Sequence, residues 1–316
     1  MEKISVNVKL FLFLIVLPIE EHLIKQKERF ALRKKWTIGL TSASLALVLA
    51  ACSDPAEPVD GSNEKENSDL TLEQVFNKSV QAGEDLTSME AVIQMNQNLT
   101  LPGEEMELTT ESTIEMDMVL EPMALYQKVE TTGDGMMQSD EAMTVESYLT
   151  DDGFFMYDFT TDQWNKLPKE MSDQIIQLSN SQNQPNEQLK ALEPFKDDFT
   201  FEQDDSSYIL TLNASGEKFS ELLLDQTSEM MPDLGMGMSA EELFKDTTFE
   251  DVMYEIVIDK ESFLPSRLDM DMTMIMTMEG ESLEIEQQSE TVYENFNTID
   301  EITVPQEILD SAVETQ

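Results

Sequence analysis

The chain has 316 residues and a formal net charge of −46, with 65 acidic against 19 basic side chains. So acidic a surface repels phosphates, which argues against a nucleic-acid partner, and it keeps the body of the protein off an anionic bilayer. One cysteine and one histidine are too few for a disulfide or for a zinc site of the Cys/His type.

The N-terminal region carries the features of an export signal. Arg33-Lys34-Lys35 precedes an apolar run over residues 36–51, and the run ends in Leu49-Ala50-Ala51-Cys52. The run is shorter than the roughly 20 residues that a bilayer-spanning helix needs. This order of features resembles a bacterial lipoprotein signal peptide with its lipobox. The resemblance implies that Cys52 is acylated, that cleavage precedes Cys52, and that the protein is anchored on the outer face of the cytoplasmic membrane.

The signal divides the chain into four parts. Residues 1–31 precede the basic residues with which such a signal should begin, so we interpret them as an extension from a misassigned translation start. Residues 32–51 are the signal peptide, 52–69 the acylated cysteine with a disordered tether, and 70–316 a single domain. Removal of the signal also removes His22, the only histidine. Because no catalytic motif remains, we predict that the protein is not an enzyme and holds no metal or cofactor.

The domain is predicted to begin with a helix and continue as strands. Thr71 and Gln74 form a capping-box pattern, and apolar residues follow at helical spacing over 71–85. From Met89 onwards apolar residues alternate, which predicts strands over 89–96, 106–120, 123–130, 144–149 and 154–159. Asp151-Asp152-Gly153 is a hairpin signal. The pattern indicates an antiparallel meander with one apolar face.

The middle of the chain changes character. Residues 170–193 and 216–231 are predicted helical, with a hairpin over 199–212 between them. Strands resume at Phe249 and include a segment in which alternate residues are methionine. A last strand over 282–296 and a tail ending in a short helix complete the domain.

Several segments together resemble a known family. They are the lipobox, the tether and the opening helix, followed by SYLTDDGFFMYDFTTDQWNKLP at 147–168, FEDVMYEIVIDKESFLPSRLDM at 249–270 and IDEITVPQEI at 299–308. They look like an uncharacterised family of Gram-positive lipoproteins over about residues 70–312, similar in fold to the LolA and LppX/LprG lipid-carrier group. The resemblance implies an α+β fold, in which helices cover the concave face of a strongly curved antiparallel half-barrel sheet. It also implies an apolar cavity there, which carries acyl chains in the wider group.

The methionines are the candidate binding residues, because methionine suits walls that accept variable apolar partners. The cavity candidates are Met116, Met118, Met270, Met272, Met274, Met276 and Met278. The expected partners are a lipid or another apolar small molecule and, through the Cys52 lipid, the cytoplasmic membrane; no protein partner can be named. Two alternatives remain open. One is a structural or interaction protein with a filled core. The other is Cu(I) binding by thioethers, which a spacing of about 6.8 Å between same-face sulfurs disfavours.

Overall fold

A computed structural model of the chain describes residues 55–63, 67–100, 107–133, 142–169, 171–173, 175, 189–190, 192–214, 247–278 and 281–314. The predicted extension, the signal peptide and Cys52 lie outside these residues, as do the predicted helix over 216–231 and much of 170–193. Among the helices described, none has the length and hydropathy to cross a bilayer.

The strands form one sheet of 13. Their bounds are β1 Glu57–Pro58, β2 Ser88–Thr100, β3 Glu107–Leu120, β4 Met123–Gly133, β5 Met143–Thr150, β6 Gly153–Asp158, β7 Gln163–Lys166, β8 Phe199–Gln203, β9 Ser207–Ala214, β10 Thr247–Asp259, β11 Pro265–Met278, β12 Glu281–Glu294 and β13 Val313–Glu314. The strands predicted from alternation are therefore present. The described helices are α1, Leu72–Glu84, and α2, Gln306–Ser311, and a 3₁₀ helix spans Glu193–Asp198.

Two meanders lie side by side in this sheet. The strand order is β1-β8-β9-β10-β11-β12-β2-β3-β4-β5-β6-β7-β13. The late strands β8 to β12 thus form one half and the early strands β2 to β7 the other. The halves join where β12 pairs antiparallel with β2, from Glu284 opposite Thr100 to Glu294 opposite Glu90.

The predicted fold class was wrong. The sequence predicted an α+β fold in which helices cover the concave face of a half-barrel, but the structure is dominated by strands in one large open, curved sheet. Of the predicted helix over 170–193, the described residues 171–173, 175 and 189–190 are helical, and Glu193 begins the 3₁₀ helix. Among the described elements, helical cover is confined to parts of the sheet, and it lies on both of its faces.

Helix α1 packs on one half of the sheet. The predicted capping box is present, since Thr71 Oγ1 accepts from the Gln74 backbone and Gln74 Oε1 accepts from the Thr71 backbone. Leu72, Val75 and Phe76 are buried on one side of the helix. They join a cluster with residues of β8 to β12 and with Phe195 of the 3₁₀ helix. This amphipathic side is what the helical spacing of the apolar residues predicts.

Helix α2 packs on the face of the sheet opposite to the one that α1 covers. Phe155 of β6 is 1 % exposed and contacts Val304 and Ile308, at and just before α2. Phe154, its neighbour in the strand, is also buried. Because successive strand residues point to opposite faces, β6 has apolar side chains on both faces, and each must be covered. The single covering layer that the sequence analysis expected could not do this.

The N-terminal segment lies along one edge of the sheet. β1 pairs parallel with β8, and Ala56 is buried. The Gln203 side chain donates to the carbonyls of Ala56 and Ser68, at 2.7 and 3.2 Å, and accepts from the Ser68 amide at 2.8 Å. The sequence analysis had assigned residues 52–69 to a disordered tether. The described part of that segment is instead hydrogen-bonded to the domain.

Candidate ligand-binding face

One face of the sheet carries few charged positions: among the described strands, the registers put only Asp158 at the end of β6 and Glu281 at the start of β12 on it. We call the side that carries Met118 and Met274 the inner face, and the opposite side the outer face. The registers place on the inner face the odd-numbered residues 89–99 and 283–293 and the even-numbered residues 108–120 and 268–276. The registers of β4 and β5 add the odd-numbered residues 123–133 and 143–149 to this face. None of these residues is Asp, Glu, Lys or Arg.

The outer face carries the acidic charge. Glu90 lies opposite both Asp117 and Glu294, and Asp269 lies opposite both Glu255 and Glu290. Burial, with Glu90 and Glu115 nearby, raises the pKa of the Asp117 carboxyl. Burial likewise raises the pKa of the Asp269 carboxyl, although the Arg267 guanidinium opposes this. The strands thus sort an acidic chain into one charged face and one face with few charges.

The candidate methionines lie on the inner face in two clusters. In the first, Met274 and Met276 are buried, and Met270 and Met272 are partly buried against them. In the second, Met118 is fully buried and Met116 is partly buried. Met278 lies in β11, but its side chain is outside the described residues. The structure therefore separates close-packed methionines from Met116, Met270 and Met272, which retain surface.

The registers give the copper alternative no support within β11, although in the other cluster Met89 lies opposite Met118. The stripe methionines of β11 lie opposite Tyr254, Phe249 and Thr247 on one side, and opposite Ser289, Gln287, Ile285 and Leu283 on the other. No second thioether is therefore opposite any of Met270, Met272, Met274 and Met276. Within the described residues, no group of three or more His, Cys, Asp or Glu side chains could hold a metal ion.

Sequence reasoning missed the polar side chains of the inner face. Gln97 and Gln287 are 7 and 4 % exposed, and Gln97 Nε2 donates to Gln287 Oε1 at 2.9 Å. Nearby, the hydroxyls of Ser112 and Thr131 bond to each other at 3.0 Å. The signal was present: Gln287 is in phase with Leu283, Ile285 and Tyr293, so alternation itself predicts that it faces inward.

Comparison with family models identifies the chain. Residues 71–313 match the model of a family described as a family of unknown function, DUF6612. The chain belongs to the DUF6612 family. The matched range is close to the residues 70–312 over which the sequence resembled an uncharacterised family. No curated protein matches the chain.

Solved structures resemble this DUF6612 member only distantly. A DUF1329 family protein from Desulfovibrio piger is 12 % identical and matches 73 % of this chain and 95 % of its own, with a TM-score of 0.24. A LolA superfamily protein from Nitrosomonas europaea is 9 % identical, over 76 % and 97 % of the two chains, with a TM-score of 0.18. A structure titled for lipid–protein interactions in lipovitellin is 8 % identical, over 72 % of this chain and 26 % of that one, with a TM-score of 0.27. TM-scores this low carry no argument about the fold or ligand of this chain.

One depression in the described part of this DUF6612 member lies apart from the candidate methionines. Its volume is about 310 Å³, and Asn213, Asp251, Val252, Met253 and Asp271 line it, at the irregularity in β10. Met253 and Asp271 are opposite each other on the outer face. The lining is polar and open, which does not suit an apolar ligand.

Proposed function

We propose that the chain is a lipid-anchored lipoprotein on the outer face of the cytoplasmic membrane, and that its domain binds a lipid or another apolar ligand on the inner face of the sheet. Binding would serve carriage or sensing, without catalysis. One observation carries this proposal: Met116, Met270 and Met272 retain surface among described inner positions of β2 to β5, β11 and β12 that are uncharged except at Glu281, in a chain of net charge −46.

Burial and side-chain chemistry support an apolar occupant. Exposed apolar surface is unfavourable in water by about 25 cal/mol per Å², so a broad apolar face needs a cover or a ligand. Methionine can adapt its shape to different apolar partners. Burial also raises the pKa of the Tyr254 phenol on this face. The Tyr254 phenol therefore stays neutral at physiological pH.

The test uses the full chain, purified from membranes in dodecyl maltoside and labelled with a diazirine-bearing hydrocarbon. We expect the label on peptides from β2, β3 and β11. Met272→Trp should reduce it several-fold, because the indole fills space beside the partly buried methionine. Mass spectrometry of the labelled peptides measures the effect.

The matched control is Ile275→Trp, which introduces the same side chain on the outer face of the same strand. It should leave the label on the inner face unchanged. A folded chain in which the inner-face residues of β2, β3 and β11 take up no more label than their outer-face neighbours, as fragment-ion masses locate it, would rule out the proposed function.

A further inference from the structure

Polar, uncharged side chains cross the middle of the inner face in two neighbouring rows. The first row contains Met272, Gln287, Gln97 and Thr110, and the second contains Met270, Ser289, Met95, Ser112 and Thr131. We call Gln97, Gln287, Ser289, Thr110, Ser112 and Thr131 the polar band. It spans β12, β2, β3 and β4, across the junction of the two meanders.

The amide pair in the polar band has unused hydrogen-bonding capacity. One bond, from Gln97 Nε2 to Gln287 Oε1, joins the two side chains. Gln97 Oε1 and Gln287 Nε2 make no other hydrogen bond to the described residues. The enclosed side-chain atoms without a partner belong to Asn67, Ser79, Thr247, Arg267 and Asp269. Gln97 Oε1 and Gln287 Nε2 are not among these enclosed atoms, so each keeps some accessible surface, at which the oxygen can accept from a hydroxyl and the nitrogen can donate to an ester oxygen.

Apolar rows flank the polar band at both ends. Met274, Ile285 and Leu99 form the next row on one side. On the other side, Ile114 and then Met116 and Met118 continue along β3. The polar group of an occupant must therefore lie between apolar parts, as an ester or hydroxyl linker does, and not at one end.

The described inner positions of the sheet include no Lys or Arg, which limits that linker further. A phosphate attached to it would lie beside neutral side chains, without a cation to pair with. Burying an unpaired charge costs far more than one hydrogen bond returns. We infer that the ligand is an uncharged lipid in which a hydroxyl- and ester-bearing linker joins apolar chains, as in a diacylglycerol, and that Gln97 and Gln287 bind that linker. This inference rests on the proposed function.

The experiment compares two lipids that differ only in a phosphate. Dioleoylglycerol and dioleoylphosphatidic acid, each with a diazirine close to the ester, are added at equal mole fraction to the full chain in dodecyl maltoside. We expect several-fold more crosslinking to the diacylglycerol. Tandem mass spectrometry should place the crosslinks on peptides that contain Gln97 or Gln287.

The matched variants differ only in the face they change. Gln97→Leu with Gln287→Leu replaces both partners of the pair, which leaves no buried group unpaired. We expect it to lower diacylglycerol crosslinking about tenfold, the value of roughly one hydrogen bond, while the diazirine hydrocarbon still labels the inner face. Gln94→Leu with Gln288→Leu makes the same change on the outer face of the same two strands and should alter neither.

The outcomes separate the two proposals. Equal crosslinking of the two lipids, or crosslinks away from β2 and β12, would overturn the inference even if the double-leucine variant fails to fold. So would a folded double-leucine variant that binds diacylglycerol as the native chain does. If the hydrocarbon also fails to label the native inner face, the proposed function itself is wrong.

Discussion

At the scale of single residues, Gln203 has the densest set of long-range hydrogen bonds in the described part of the chain. Its side chain is 1 % exposed and bonds three backbone groups of the N-terminal segment. Its backbone carbonyl also accepts from the Val59 amide at 2.9 Å. A buried side-chain amide whose hydrogen bonds are all made stabilises the folded state. Each buried polar group that loses its hydrogen-bond partner lowers the stability. Gln203 therefore helps to hold residues 55–63 and 67–69 on the sheet edge.

Gln203→Leu should lower the free energy of unfolding by about 1–3 kcal/mol, because it leaves the buried carbonyl of Ala56 and the partly buried carbonyl of Ser68 without this hydrogen-bond donor. Urea unfolding followed by circular dichroism measures the loss, and limited proteolysis should cut earlier within residues 55–63. Gln288→Leu, at an exposed position on β12, is the control and should change little. Unaltered unfolding and proteolysis in Gln203→Leu would show that the segment docks without this side chain.

At the scale of elements, the pairing of β12, β2 and β3 places like charges opposite each other on the outer face. Glu294, Glu90 and Asp117 lie in one row across the three strands. Like charges directly opposite each other destabilise a strand pair by a few tenths to about 1 kcal/mol. The raised pKa of Asp117, caused by burial and then by Glu90 and Glu115, reflects the same crowding. Because this carboxyl binds a proton more readily in the folded state, it makes the protein more stable as the pH falls toward its pKa.

Asp117→Asn should therefore raise the free energy of unfolding at pH 7 by a few tenths to about 1 kcal/mol. It should also reduce the gain in stability between pH 7 and pH 5, since the titrating carboxyl is gone. Urea unfolding at the two pH values measures both. Glu284→Gln is the control, because Glu284 on the same face of β12 lies opposite uncharged Ile275 and Thr100. A variant with the native pH dependence would contradict this account.

Local patterns predicted the elements but not their assembly. Alternation from Met89 and in the methionine segment gave β2 and β11, and Thr71 with Gln74 gave the start of α1. The pairing of β12 with β2 joins residues about 190 positions apart. Alternation within one strand does not predict which other strand lies beside it. Phe154 and Phe155 did signal a strand covered on both faces, but no local pattern shows that α2 supplies the outer cover. The alternating pattern predicts that Gln97 and Gln287 face inward. Only the register of β12 against β2 shows that these two side chains lie opposite each other.

At the scale of the whole molecule, charge and anchoring oppose each other. A body of net charge −46 gains nothing from an anionic bilayer and is repelled within a Debye length, about 8 Å at physiological salt. In the proposed anchoring, attachment therefore comes from acyl chains. Washing membranes with high salt or alkaline carbonate should accordingly leave the native chain in place.

Cys52→Ala should abolish incorporation of labelled palmitate and leave a heavier, uncleaved precursor, because the acylated thiol is what the lipoprotein peptidase requires. Intact-mass spectrometry and radiolabelling measure both effects. Ser53→Ala, one residue further along, should behave as the native chain does. A native protein that carries no lipid and does not begin at Cys52 would refute the anchoring.

The docking of β1 on β8 also sets how far the domain can move from its anchor. Pro55 already pairs with Thr71 by a β-bridge, so only Ser53 and Asp54 separate it from Cys52. Three residues reach at most about 11 Å when fully extended. With Cys52 acylated, the β1–β8 edge would be confined to the immediate surface of the bilayer. Such a protein would exchange ligand with the leaflet beneath it, and a separate carrier would be needed to take the ligand farther from the membrane.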